Sequence, residues 1–246
     1  MASILLFLAR SLWRSGLLKA ILLLLTLSIL ASLALSSADI GRPYKLFYDL
    51  LLFSQYFWLH ALLLLWAYEL SKNEAGAKLA RLPLSTPLSR RGYEAGRFGA
   101  LLLSALPLLV ALALLNLLLA NSAVAWQGVL FALSALLAGF WVLALSRFVA
   151  PASAVLYSAA IVIIANGVDE LYLYTRYEES AAYLAPLASL LFHLWPNFSL
   201  FDHSSALVSG AAWQPFEHLF LPVGYALLLG WLIFELSAWR FGRKPL

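Results

Sequence analysis

Apolar residues form six stretches along the chain, and each is long enough to cross a bilayer. The stretches are 17–36, 51–69, 98–120, 128–147, 151–168 and 219–239. A helix needs about 20 mainly apolar residues to cross a hydrocarbon core about 30 Å thick. The pattern therefore predicts an all-α membrane protein with six transmembrane helices.

The segment before the first stretch has a different pattern. Residues 1–16 place basic and serine positions on one helical face, with Trp13 beside an apolar remainder. That pattern is typical of a helix lying in the membrane interface. The alternative is that these residues only form the positive flank of the first span.

A second short apolar piece interrupts the polar segment 169–218. It runs from Tyr183 to Trp195 and, at 13 residues, is too short to span. Pro186 lies within it and Pro196 follows it. We expect a re-entrant helical element on the outer side, which protein or water must cover. An amphipathic lid on the outer leaflet is the alternative.

Composition and charge agree with a membrane domain and set its orientation. The 246 residues suffice for one transmembrane domain, 1–246, and 63% of them are hydrophobic. With the N-terminus in the cytoplasm, 13 of the 16 basic residues lie on the inner side, whereas 8 of the 12 acidic residues lie outside. Lys and Arg concentrate in cytoplasmic loops. The bias predicts a multi-pass protein of the inner (cytoplasmic) membrane with both termini inside, so the basic pI does not indicate nucleic acid.

Several kinds of chemistry have no sequence signal. The chain has no cysteine and no phosphate-binding Gly-x-x-x-x-Gly-Lys-[Ser/Thr] motif, so an ATP site of that type is absent from it. His193, His203 and His218 are irregularly spaced, and we predict no metal site. The span centres carry polar but no charged residues, which argues against an ion-driven carrier. The chain is not expected to be an enzyme.

The inner loop, residues 70–97, is the most informative segment. Ser71 and Glu74 have the spacing of a capping box, which predicts a helix over 71–82. Pro83 ends that helix.

A second helix is predicted to follow it and to enter the third span. Thr86 has the character of an N-cap, and Pro87 suits the first helical position. The loop is therefore expected to be helix–turn–helix beneath the membrane.

The loop resembles the signature of type-2 ATP-binding-cassette (ABC) exporter permeases. In that family a Glu and a Gly begin a short helix, followed by a Leu-rich piece, "TP-x-SR", a Tyr and "G-[KR]-F". The matching residues here are Glu74, Gly76, Leu79, Leu82, Thr86, Pro87, Ser89, Arg90, Tyr93, Gly96, Arg97 and Phe98. Ala77 departs from the family, which usually has Thr there. The run Trp195 to Asp202 is similar to the family's Pro-Asn-Phe segment before the last span.

The resemblance implies partners for the inner loop. The helix at 71–82 would be a coupling helix that docks on a cytoplasmic ABC ATPase. ATP and Mg would be bound in that ATPase, with no cofactor in this chain. The expected contact residues are Glu74, Gly76, Lys78, Leu79, Arg81, Leu82, Arg90 and Arg91.

The resemblance also implies a dimer and a path for cargo. A second copy, or a similar permease, would pair with this one in the lipid bilayer, and the path would lie near spans two and five. The polar candidates there are Gln55, Trp58, His60, Ser158 and Asn166. The sequence thus predicts the permease subunit of an exporter. The alternative is a non-transporting scaffold or biogenesis factor that recruits a cytoplasmic partner through its inner loop.

Overall fold

Residues 2–38, 43–75, 89–120, 122–203 and 220–242 are described by a computed structural model, and every structural statement refers to them. They form eight α-helices and no strand: α1 Ala2–Trp13, α2 Gly16–Ala38, α3 Pro43–Ala75, α4 Arg90–Leu119, α5 Ser122–Leu145, α6 Pro151–Tyr177, α7 Ala185–Leu194 and α8 Leu221–Gly242.

Six helices, α2 to α6 and α8, are long and apolar enough to cross a membrane, which confirms the predicted helical membrane protein. Their ends differ from the apolar stretches. α3 has 33 residues and α6 has 27, or about 50 and 40 Å at about 1.5 Å per residue. Both exceed a core of about 30 Å. Hydropathy marks only the apolar part of a helix, because polar residues at its ends continue the same backbone.

The core of the bundle surrounds α5. In the apolar segment of α5, 72% of the residues are buried, against 17% in that of α2. α5 packs against α3, α4, α6 and α8, while α2 packs on α3. Gly139 lets α5 approach α3 closely, because a Cβ there would lie 3.2 Å from the carbonyl oxygen of Leu63. Small residues permit such close contacts between membrane helices.

α1 is a separate helix, divided from α2 by a turn at Arg14 and Ser15. Its buried face, Leu8, Ala9 and Leu12, turns inward, and α1 packs mainly on α4. The helical character predicted for residues 1–16 is therefore confirmed from Ala2 onward.

The predicted start of a helix at Ser71 is wrong. α3 passes through Ser71 without interruption and ends at Ala75. The Ser71 hydroxyl donates to the carbonyl oxygen of Ala67 at 2.8 Å, one turn earlier, instead of capping a new helix. A serine inside a helix often bonds back in this way.

The helix that enters the third span begins at Arg90 rather than at Thr86. Ser89 is its N-cap, in an extended conformation, and its Oγ accepts a hydrogen bond from the Gly92 amide at 3.0 Å. Residues 76–88, with the rest of the predicted coupling helix, lie outside the described residues.

The chain after α6 folds back along that helix. The Phe198 amide donates to the carbonyl oxygen of Ala165 at 3.3 Å. Ala165 lies 12 residues before the end of α6 at Tyr177, or about 18 Å along the axis. The chain near Phe198 therefore returns beside α6, and whether it is a re-entrant element of the membrane stays a prediction.

Candidate functional site

Three buried charged side chains meet where α3 ends and α4 begins. They are Glu94, Arg97 and Arg147, and we call them the charge cluster. The Glu94 carboxylate pairs with Arg147 through one oxygen and with Arg97, at 3.2 Å, through the other. One carboxylate thus serves two guanidinium groups, and the cluster carries a net charge of +1.

Two serines extend the charge cluster to further helices. Arg97 donates to the Ser71 hydroxyl of α3 at 3.1 Å, and the Ser237 hydroxyl of α8 donates to Glu94 at 3.0 Å. The Arg147 guanidinium lies 4.3 Å from the ring centroid of Phe241. The cluster therefore joins α3, α4, α5 and α8. Breaking a buried pair leaves an uncompensated charge, so these contacts resist separation.

The charge cluster borders the inner loop on both sides. Ser71 lies in the last two turns of α3, and Glu94 lies in the second turn of α4. Residues 76–88 connect these two helices. A displacement of the loop would therefore move four helix ends as one body, because rigid helices joined by firm contacts rotate or shift together.

Arg90 and Arg91 both contact α8. Arg90 donates to the carbonyl oxygens of Gly242 at 2.9 Å and Phe241 at 3.3 Å, which satisfies the open end of α8. Arg91 forms an ion pair with Glu235. The sequence offered no signal for these contacts, because α8 lies far along the chain. A role for either arginine in ATPase docking stays a prediction.

A second polar contact lies deep in the bundle. Gln55 and Asn116 exchange two side-chain hydrogen bonds, at 2.6 and 3.0 Å, and both are fully buried. Gly128 leaves room for them, since a Cβ there would lie 2.6 Å from the Asn116 amide nitrogen. The amide pair ties α3 to α4 beside α5.

The structure brings only some of the predicted path residues together. His60 and Asn166 meet around Tyr56: Asn166 donates to its hydroxyl at 2.6 Å, and the His60 ring centroid lies 4.1 Å from that of Tyr56. Ser158 is buried and donates to the carbonyl oxygen of Ala138 at 2.6 Å. Trp58 instead faces α2. A path role for these side chains stays a prediction.

Gln127 is a functional candidate that the sequence reasoning missed. Its amide donates to the carbonyl oxygen of Phe201 at 2.7 Å and accepts from the His203 amide at 3.1 Å, so it fastens the returning segment to α5. The available signal was a glutamine at the edge of an apolar stretch. Asn197 adds a second anchor, since its backbone N–H donates to the Tyr225 hydroxyl of α8 at 2.8 Å.

Among the described residues, no group of three His, Cys, Asp or Glu side chains could hold a metal ion. His218 lies outside them.

Comparison of the chain with protein-family models and with curated proteins finds no match. The fold and its contacts define a class, the helical multi-pass membrane proteins. Any narrower family rests on the resemblance in residues 74–98.

Replacing Asn116 by leucine is expected to lower the free energy of unfolding by about 1–2 kcal/mol, because the buried Gln55 amide loses its partner. Unfolding in detergent measures the change. The double variant Gln55→Leu/Asn116→Leu is the control, and it should recover part of the loss because neither amide is then left unpaired. A single variant as stable as the parent would contradict the pairing.

Proposed function

We propose that the chain is the membrane-spanning permease subunit of an ABC exporter. It would move an unidentified substrate across the cytoplasmic membrane, using ATP hydrolysed with Mg in separate ATPase subunits. The charge cluster carries the proposal, because it joins both helices that border residues 76–88 to the rest of the bundle. The resemblance in residues 74–98 supplies the family.

The contacts of α5 and α8 suggest how a push on the loop would travel. Gln127 of α5 holds the returning segment, and Arg147 of the charge cluster lies in the turn just after α5. The two residues are 20 apart, or about 30 Å of chain if the helical rise is extended to Arg147. α8 likewise carries Ser237 in the cluster and Tyr225 at the returning segment. A tilt begun at the loop would therefore also move the opposite end, as alternating access requires.

The charge pattern supports the orientation of the proposal. With the charge cluster on the cytoplasmic side, both termini are inside, and the segment that folds back along α6 is a re-entrant element of the outer side. α1 would then lie in the cytoplasmic interface against α4, where its Arg10 and the adjacent Arg14 are exposed.

One face of α6 suits a second copy. Leu156, Ala160, Ile163 and Gly167 are exposed and spaced three and four residues apart, which is the spacing of a helix–helix seam. Ala160 and Gly167 are small enough for close approach between membrane helices. Leu156 and Ile163 are 71% and 73% exposed in the single chain. We therefore place the homodimer contact on this face.

Single cysteines test that contact cleanly, because the chain has no cysteine of its own. Leu156→Cys and Ile163→Cys are expected to form disulfide-linked dimers in native membranes. Leu227→Cys is the matched control, since this leucine of α8 is also 71% exposed. Equal cross-linking at all three positions would contradict a specific seam on α6.

Reversing the charge of Glu74 tests coupling to the ATPase. Glu74→Lys is expected to abolish stimulation of the partner ATPase. If Glu74 faces a basic group of the ATPase, the lysine brings two like charges together, which costs several kcal/mol at an interface. Each 1.4 kcal/mol or so is a tenfold loss of binding. ATP turnover of the purified complex measures the change. Arg90 and Arg91 are poorer positions, since changing them would also disturb α8.

Glu178→Lys is the control, because Glu178 is exposed just after α6, away from the loop. It should leave ATP turnover unchanged. If Glu74→Lys also leaves ATP turnover unchanged, the proposed coupling of the inner loop to the ATPase is contradicted. The inner loop would then serve a scaffold or biogenesis factor.

A further inference from the structure

Two apolar cavities lie end to end in the groove between α2 and α3. The deeper cavity, of about 190 Å³, is lined by residues 21–29 of α2 together with α3 and α4. The outer cavity, of about 370 Å³, is lined by residues 28–35 of α2 together with α3. The outer cavity alone falls within the range of small-molecule sites, roughly 300–1,000 Å³. Along α2 the two extend from Ile21 to Leu35, which is about 21 Å at the helical rise.

Trp58 divides the groove. Its side chain lines both cavities, and its indole N–H donates to the Ser28 hydroxyl on the facing helix at 3.0 Å. A single hydrogen bond across the groove therefore separates the two compartments.

The polar groups of the groove are already engaged. Four hydroxyl groups line it, and each donates to a carbonyl oxygen of its own helix at 2.8 to 2.9 Å: Thr26, Ser28, Ser32 and Ser54. The Trp58 indole is the only other side-chain donor among the lining residues. The groove thus offers no free hydrogen-bond donor, and its remaining lining is apolar, so an alkyl chain suits it.

The surrounding bilayer supplies such chains. Phe53 and Phe57 line the outer cavity and are also exposed on the bundle surface, so a lipid tail can enter sideways. Lipid tails are as apolar as these side chains, so burial alone gives no preference for the groove. The preference arises because a preformed cavity leaves its lining atoms without contact partners, which an inserted chain supplies.

A carboxylate lies one helical turn beyond Phe53, which lines the outer cavity. Asp49 is exposed and lies four residues before Phe53, hence one turn further out on the same face of α3. A negative charge there suits a cationic group on the lipid head. We infer that the groove between α2 and α3 binds one acyl chain of a phospholipid whose head carries a primary amine, and that Asp49 faces that amine. The site would exist whether or not the chain moves cargo.

Photochemical labelling in nanodiscs tests the site. The probes are phosphatidylethanolamine and phosphatidylglycerol, each with the same diazirine-bearing acyl chain, and peptide mass spectrometry locates the adducts. We expect phosphatidylethanolamine to label residues 28–35 and 50–58 above the general background. Ala31→Trp fills the outer cavity and should reduce this labelling about tenfold, which corresponds to about 1.4 kcal/mol in occupancy. Leu30→Trp, on the lipid-facing side of α2, should retain it.

Each outcome decides a part of the inference. Labelling that Ala31→Trp leaves unchanged would overturn the chain site. Leu35→Trp, which enters the same cavity from an exposed position, replaces it if Ala31→Trp does not fold. Phosphatidylglycerol is expected to label less than phosphatidylethanolamine, and Asp49→Asn should remove the difference. Equal labelling of the parent chain by both lipids would overturn the role of Asp49.

Discussion

Replacing Glu94 by glutamine is expected to lower the free energy of unfolding by about 3–5 kcal/mol, since it removes the carboxylate that two buried guanidinium groups share. Glu94 is fully buried between Arg97 and Arg147. The glutamine oxygen could still accept from one arginine. Its amide group would face the donors of the other, because both glutamine amide hydrogens and arginine hydrogens can only donate.

The matched control is Glu235→Gln, the same change on a carboxylate paired with Arg91. The Arg91 side chain is 67% exposed and that of Glu235 is 31% exposed. Exposed ion pairs contribute about 0–1 kcal/mol. Denaturant unfolding in a single detergent compares the two variants. If they lose the same stability, the charge cluster does not hold the helices together.

A second-site change separates charge from shape. Adding Arg147→Met to Glu94→Gln removes one of the two guanidinium charges that Glu94 no longer balances, and it should recover part of the loss. A double variant less stable than Glu94→Gln alone would show that Arg147 stabilises the bundle mainly through its other contacts, such as Phe241.

Replacing Gly139 by leucine is expected to lower the free energy of unfolding by about 3 kcal/mol, at the upper end of overpacking effects. A Cβ at Gly139 would lie 2.7 Å from a methyl group of Leu101 and 3.2 Å from the Leu63 carbonyl oxygen. The Leu101 methyl can turn away, but the Leu63 oxygen is part of the α3 backbone. A larger side chain must therefore push α3 and α5 apart.

Gly224→Leu is the control for Gly139→Leu. A Cβ at Gly224 of α8 meets no described residue within 4 Å, so leucine there should raise stability by up to about 1 kcal/mol through its better helix propensity. Thermal unfolding in detergent and the yield of folded protein measure both changes. A Gly139→Leu variant as stable as Gly224→Leu would contradict the close approach of α3 and α5.

The architecture was predictable because it depends on local sequence. Each span is an uninterrupted apolar stretch, and a bilayer admits few other forms for one. The prediction that a helix begins at Ser71 was wrong because it left out contacts with residues distant in the sequence. The hydroxyl of Ser71 contacts Arg97 and Ser146, which are 26 and 75 residues away. Those contacts favour a continuous α3 over a new helix start.

The candidate site was predictable only in outline. Arg147 counted in the sequence as one more inner-side charge, since its meeting with Glu94 depends on how α4 packs beside the end of α5. Arg97 lies three residues after Glu94 on α4, so that contact is local, but its burial and its bond to Ser71 require the fold. Arg90 drew attention as a loop charge, whereas its contacts with the last carbonyls of α8 require the fold. Gln127 was overlooked because its partner, the carbonyl oxygen of Phe201, lies on the returning segment.

A permease subunit of this kind should bind an ATPase subunit in the membrane. The most direct test is gentle purification from native membranes, followed by mass spectrometry of everything that remains bound. We expect a P-loop ATPase in stoichiometric amount, lost when Glu74 is changed to lysine and retained when Glu178 is changed to lysine. A preparation that preserves the dimer but contains no ATPase would contradict the exporter.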